Sequence, residues 1–389
     1  MGAVVTDVAT ALTHFKTNDS VLMRCIVFSL VSVLLCVGCE SSTAVPTPEV
    51  GVSTGLSTRL IQETLAGTPT VIAGSQGRNF AVAFERTFEG RILEFQMTER
   101  RFPVIMTDQY GNDWDAMGRA VSGPDQGGHL HPLNAGMGYW FVFSASYPGI
   151  EIFGEGAIPA PLSWDTLSGW DVPEDGVAQG ADFDEIKALD NPVFIHYHPL
   201  SFDPVEVFYL EDDDLVVVVE INGETKVYPH AILNWHEIIN DEIGGMPVSV
   251  TYSPLTGTTR VWERGGISYG VSGLIYNNNM LAFDRFTESF WWQLEGRCVF
   301  GGRKGEQLAL RHFLETTWGT WKRVDPTPIV VSGIQEQGHP YNTFPYGDYS
   351  TNDRITYPLL FEDNRLPPKE RVFGVIIDGT CTVYRMANF

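Results

Sequence analysis

The chain of 389 residues is 43% hydrophobic and 12% aromatic, which supplies one large β-rich body or two domains and argues against global disorder. Its 25 Lys and Arg stand against 48 Asp and Glu, a formal charge of -23. Such a surface repels a phosphate backbone, so nucleic acid is not an expected partner.

Residues 1 to 22 carry Asp7 and Asp19, which do not belong ahead of a signal's basic region, so translation is expected to start at Met23. Arg24, the apolar run Cys25 to Val37 and Gly38-Cys39-Glu40 resemble a bacterial lipoprotein signal with Cys39 as the lipid attachment residue. Such signals usually carry Leu three residues before the cysteine, where Cys36 stands, so an ordinary cleaved signal and an uncleaved one stay open. The run is too short to span a bilayer comfortably. Residues 1–39 thus form an upstream segment plus signal, and 40–56, rich in Ser, Thr and Pro, a flexible tether. The expected address is extracytoplasmic, with the membrane as partner through the lipid. Cys298 and Cys381 remain in the body, as one disulfide or as two small buried hydrophobes, but not as a disulfide framework.

The body is duplicated. Trp114, Gly118, Arg119, Val121 and Gly123 recur as Trp292, Gly296, Arg297, Val299 and Gly301, an offset of 178 (292 less 114). The same offset relates Leu130 to Leu308, Trp140 to Trp318 and Phe84-Glu85-Arg86 to Trp262-Glu263-Arg264. The unit occupies about residues 80 to 153 and again about 258 to 331, and its glycines and tryptophans read as turns and core anchors. Expected segments are a first unit at 57–160, an acidic connection at 161–204 and a second domain at 205–389. The fold class is α+β, predominantly β, with few short helices.

A shorter echo relates Val218 to Tyr228 with Gly374 to Tyr384, each a strand, an Asn-Gly or Asp-Gly turn and a second strand. Glu211-Asp212-Asp213-Asp214 lacks the alternating ligands and glycine of a calcium loop and reads as a solvated cap on a buried strand. After Pro229 a helix is expected to run to Gly244-Gly245, with Ile232, His236 and Ile239 on one face and Glu237 beside them. A strand Pro247 to Tyr252 then delivers the turn Ser253-Pro254-Leu255-Thr256-Gly257-Thr258.

Asn-Trp-His-Glu-Ile-x-Asn-Asp at 234–241, Gly-Gly-x-Pro-Val-x-Val-Thr-Tyr at 244–252 and x-Pro-Leu-x-Gly-Thr at 253–258 resemble the bacterial family called domain of unknown function 3179. Tyr269 to Leu274, Tyr276 to Asn279, Asp284-Arg285, Thr287-Glu288-Ser289 and Arg365 to Arg371 continue the resemblance, which spans roughly 205–384 and in weaker form the earlier unit. The family implies no established activity. Its members usually carry Cys at the first position of the Pro-Leu turn and often again three residues later, where this chain has Ser253 and Thr256. Thiolate redox or soft-metal chemistry is thereby removed here.

Candidate site residues are His236 as general base or metal ligand, Glu237 as its orienting partner, and Ser253, Thr256 and Asp284 as pocket walls. Arg285 and Glu288 join Asp284 either in a pocket or in an ion network that fixes the following loop. Against this, a histidine placed like His236, on a face with Ile232 and Ile239, is more often a satisfied core histidine than a ligand. His129/His131 and His196/His198 are His-x-His pairs of the kind that ligate metals, without a third ligand at a telling spacing. No phosphate loop, His-Glu-x-x-His helix or Gly-x-Ser-x-Gly elbow occurs. The expectation is an envelope protein that binds a small-molecule or protein ligand, with an enzyme, a metal-ion site and a purely structural role as alternatives.

Overall fold

The computed structural model describes residues 57–157, 169–200, 206–336 and 338–389. Cys39, the signal and the tether lie outside them, as does part of the acidic connection. Six sheets of three to five strands, with one further two-stranded ribbon, form a six-bladed β-propeller. Three α-helices of seven residues each, α1 (Trp140–Ser146), α2 (His230–His236) and α3 (Trp318–Val324), punctuate it among the described residues.

The sheets fall into two sets of three. Arg59–Leu65, Thr68–Ser75 and Phe80–Glu85 form an antiparallel meander, repeated by Ile238–Ile243, Met246–Ser253 and Thr258–Glu263. The next sheet of each half holds the buried tryptophans, on Asp113–Asp115 and Phe290–Trp292. In the third, Asn134–Tyr139 pairs with the hairpin Arg371–Ile377 and Thr380–Arg385, as Leu314–Thr317 pairs with Leu215–Ile221 and Glu224–Pro229. The C-terminal hairpin thus completes the first half. Bridges Phe84 to Pro132 and Trp262 to Leu310 hold the offset of 178 (262 less 84), and Thr68–Ser75 and Met246–Ser253 hold it too (246 less 68), so the duplication extends upstream of Phe80 into the first meander.

One correction concerns the tryptophans. Trp114 donates its indole N–H to the buried Asp108 at 2.9 Å, and Trp291, not Trp292, does the same to Asp284 at 3.0 Å. Successive strand residues face opposite sides, so Trp292 enters a different cluster, edge-on to Tyr276. The register shift at Phe290/Trp291 has its counterpart at Asp113/Trp114, and the extra residue lies in the turn that follows, since Trp291 pairs with Cys298 where Trp114 pairs with Ala120.

A second correction concerns α2. It stops at His236, because Glu237 takes a left-handed φ of 56°, and Ile238–Ile243 is a strand paired with Met246–Ser253. The β-branched Ile238 and Ile239 gain more from a ladder between two buried neighbours than from another helical turn. Gly244-Gly245 makes the hairpin turn, where Gly244 packs against the Ile221 carbonyl with a φ of 54°. Cys298 and Cys381 are free and buried in separate apolar clusters.

Candidate functional site

Four strands, Phe80–Glu85, Asn134–Tyr139, Thr258–Glu263 and Leu314–Thr317, come from the two halves as symmetry-related pairs. They contribute to the wall of a cavity of about 670 Å³, together with the segments 129–133 and 310–313. Its two sides differ in chemistry. Val82 in the first half corresponds to Arg260 in the second, Met137 to Glu315 and Asn134 to His312, all at the offset of 178 (260 less 82). At two of these positions, Val82 and Met137, the first half is apolar where the second carries a charge.

The charges are mostly matched. Arg119 pairs with Asp115 at 2.8 Å and with Glu220 at 2.5 Å, and Arg311 pairs with Glu263. Glu315 is 3% exposed, pairs with Arg371, accepts from the Thr259 hydroxyl at 3.0 Å and lies 3.2 Å from His230 Nε2. Arg260 is different. It is 1% exposed, its Nε donates to the Leu294 carbonyl and its Nη1 to the Thr259 carbonyl, both at 2.8 Å, and its Nη2 has no hydrogen-bond partner. His129 and His131 are exposed and border the same cavity, whereas His312 sits in its wall, where burial pushes its pKa down to about 4.

The sequence-based candidates around α2 lie elsewhere and line neither this cavity nor the second one. His236 is fully buried, with its two ring nitrogens 2.8 Å from the Lys187 carbonyl and 2.8 Å from the Tyr341 hydroxyl. Burial depresses its pKa, so a neutral ring donating through Nδ1 and accepting at Nε2 fits both contacts. Glu237 is also buried. Its carboxyl accepts from Tyr346, and burial pushes its pKa up to about 7. Tyr341 and Tyr346 belong to a segment further tied down by the Trp235 indole on the Thr343 carbonyl and by the Tyr349 hydroxyl on the Leu255 carbonyl, each at 3.0 Å.

Ser253 and Thr256 are sealed in a neutral network. The Ser253 hydroxyl accepts from the Met280 amide at 3.3 Å. Asn279 Nδ2 lies 2.9 Å from the Thr256 hydroxyl, 3.0 Å from that of Thr258 and 2.9 Å from Gln293 Oε1. A backbone N–H and two amides offer neither hydroxyl a base, so this arrangement does not activate a nucleophile.

Asp284 accepts from the Trp291 indole at 3.0 Å and from the Thr287 hydroxyl at 2.7 Å. Burial raises its pKa, but those hydrogen bonds and the Thr287 and Phe286 amides outweigh burial and keep it low. Arg285 pairs with Asp190 at 2.6 Å, and Glu288 occupies a left-handed turn at φ 55°. These contacts hold a turn in place. His196 and His198 border a smaller cavity of about 290 Å³ with Trp318 and Lys322. Among the described residues no three His, Cys, Asp or Glu side chains gather as a metal would require.

Arg260, Glu315, His312 and Arg371 were not among the sequence candidates. The signal was present in the repeat itself, since charge against an apolar partner at 178 (Arg260 against Val82, Glu315 against Met137) marks where two copies of one frame have parted.

No curated protein and no solved structure matches the chain. A family model described as "Protein of unknown function (DUF3179)" matches residues 36–150 and 183–389, covering both halves of the propeller and the C-terminal hairpin. The chain belongs to the DUF3179 family.

Proposed function

We propose that this protein is an exported, lipid-anchored binding protein whose ligand sits in the cavity between the two halves. The observation that carries the reading is the wall itself: a cavity of about 670 Å³, large enough for a metabolite, whose lining mixes apolar side chains with polar groups from both halves, Arg119, His129 and His131 in the first and Arg260, His312 and Glu315 in the second. Two halves that share one frame can keep the body folded through one copy while the other varies its lining. The address rests on Cys39 and the run before it.

The test is a cavity-filling variant. Ala135→Trp places an indole among the lining residues, and small molecules released by denaturing wild-type protein from its native host should be absent from the variant when both are compared by mass spectrometry. Equal yields from both would refute the reading. Metabolic labelling with palmitate, lost in Cys39→Ser, tests the anchor.

One observation favours a second reading. Glu237 combines a left-handed backbone with a carboxyl that titrates at about 7, the range of a general acid, beneath Tyr346. An enzyme built on Glu237 would need the segment of Tyr341 to Tyr349 to lift. Turnover of any substrate that survives Ala135→Trp and is lost in Glu237→Gln would support it over the cavity.

A further inference from the structure

Resting on the cavity as the ligand site, we infer that its ligand is a small organic anion, a carboxylate or phosphate ester, and that the Arg260 guanidinium takes the oxyanion. The first ground is an unbalanced charge. Arg260 is 1% exposed, and both of its hydrogen bonds go to neutral carbonyls, of Leu294 and Thr259. Carbonyl oxygens satisfy N–H groups but do not cancel a charge, and a buried cation without a counter-ion is costly to a fold.

No neighbouring carboxylate forms an ion pair with Arg260 among the described residues, although the charge of Glu295 acts on it at longer range. Glu295 pairs with Arg297 at 3.0 Å. Tyr147 and Cys381 are the other ionisable groups that act on Arg260, and burial drives both of their pKa values up, which keeps them neutral. The carboxylates of the lining are already engaged, Glu220 by Arg119 and Glu315 by Arg371. No carboxylate pairs with Arg260 among the described residues. In a chain of net charge -23 a cation left in this state is conspicuous, because acidic side chains are the commonest partners available.

The second ground is placement. Arg260 lines the cavity, and Nη2 is the one nitrogen of its guanidinium with no partner. A guanidinium held at two of its nitrogens by backbone carbonyls keeps little rotational freedom, which suits planar oxyanions. Beside its polar residues the wall carries the apolar side chains of Leu133, Ala135, Met137 and Phe313. The ligand therefore has an apolar body behind its anionic group. His129 and His131 offer further donors on the exposed side.

Calorimetric titration of the full chain separates the alternatives. The probes are hexanoate, benzoate and phenyl phosphate, their neutral counterparts hexanamide, benzamide and phenol, and inorganic phosphate. At least one organic anion should bind while its neutral counterpart binds at least tenfold more weakly. Arg260→Val, which installs the residue of the other half, should lose that anion by tenfold or more, and Arg260→Lys should keep part of the affinity. Gly136→Ala provides an independent variant, because its Cβ would lie 2.4 Å from Arg260 Nη1 and must displace the guanidinium while leaving the charge in place. It too should weaken the anion.

The carboxylate and phosphate arms identify the head group, and inorganic phosphate binding as tightly as phenyl phosphate would overturn the apolar body. Neutral probes that bind as well as anions, and are lost only in Ala135→Trp, would overturn the anion while leaving the cavity reading intact. Anion binding unchanged in folded Arg260→Val or Gly136→Ala would overturn the role of Arg260. Failure of every probe to bind, with no released molecule in the native preparation, would overturn both readings.

Discussion

The Tyr346 hydroxyl donates to the Glu237 carboxyl, and this contact closes over a group that burial holds at a pKa of about 7 instead of 4.5. The folded state therefore binds the Glu237 proton more tightly than the unfolded state. Its contribution is complete below pH 4.5 and is lost as the pH rises through 7. Glu237→Gln should unfold at a higher temperature than wild type at pH 8, by up to roughly 3 kcal/mol, and the difference should vanish below pH 4.5. Thermal unfolding followed from pH 4 to 8.5 checks this, and parallel curves would disprove it.

Acid should act through the opposite limb at His312. Its pKa of about 4 lies below the ordinary 6.5, so the unfolded chain takes up the proton first and stability falls as the pH drops from 6.5 toward 4. His312→Asn, the residue found at Asn134 in the other half, should flatten that acid limb. Urea midpoints at pH 7, 5.5 and 4.5 measure it; an unchanged slope would exclude His312 as its source.

Asp284 and Asp108 should behave alike if both serve to hold a tryptophan. Removing either carboxylate strands a buried indole N–H and the donors of its turn, so Asp284→Ala and Asp108→Ala are each expected to cost about 3 kcal/mol by urea unfolding. A catalytic role for Asp284 would instead show as lost activity at unchanged stability.

Deleting residues 371–389 removes the strand that pairs with Asn134–Tyr139 and takes Phe373, Val375, Tyr384 and Phe389 from one apolar cluster. The shortened protein should lose near-UV circular dichroism and become sensitive to limited proteolysis in the first half as well as at the cut end. Resistance of residues 59 to 146 to protease would show that the hairpin is dispensable.

Much of this frame was legible in the sequence because the decisive signals were local or repeated. Asn222-Gly223 and Asp378-Gly379 are turn residues between two apolar runs, and each hairpin follows from them alone. The repeat was visible through glycines and tryptophans, although one extra residue in the turn before Cys298 moved the indole role from Trp292 to Trp291. The end of α2 was not legible. Ile232, His236 and Ile239 satisfy a helical period, and only pairing with the strand Met246–Ser253, a tertiary fact, makes Ile239 a strand residue. Likewise nothing near Arg260 in the chain says that no carboxylate will reach it.

The C-terminal hairpin also bears on the order of events in time. The first half has its inner strand Asn134–Tyr139 long before the partner strand Arg371–Ile377 has been synthesised. Until then that strand keeps a bare hydrogen-bonding edge, and the growing chain stays open to misdirected pairing. Closure of the ring between these two strands therefore waits for the synthesis of Arg371–Ile377.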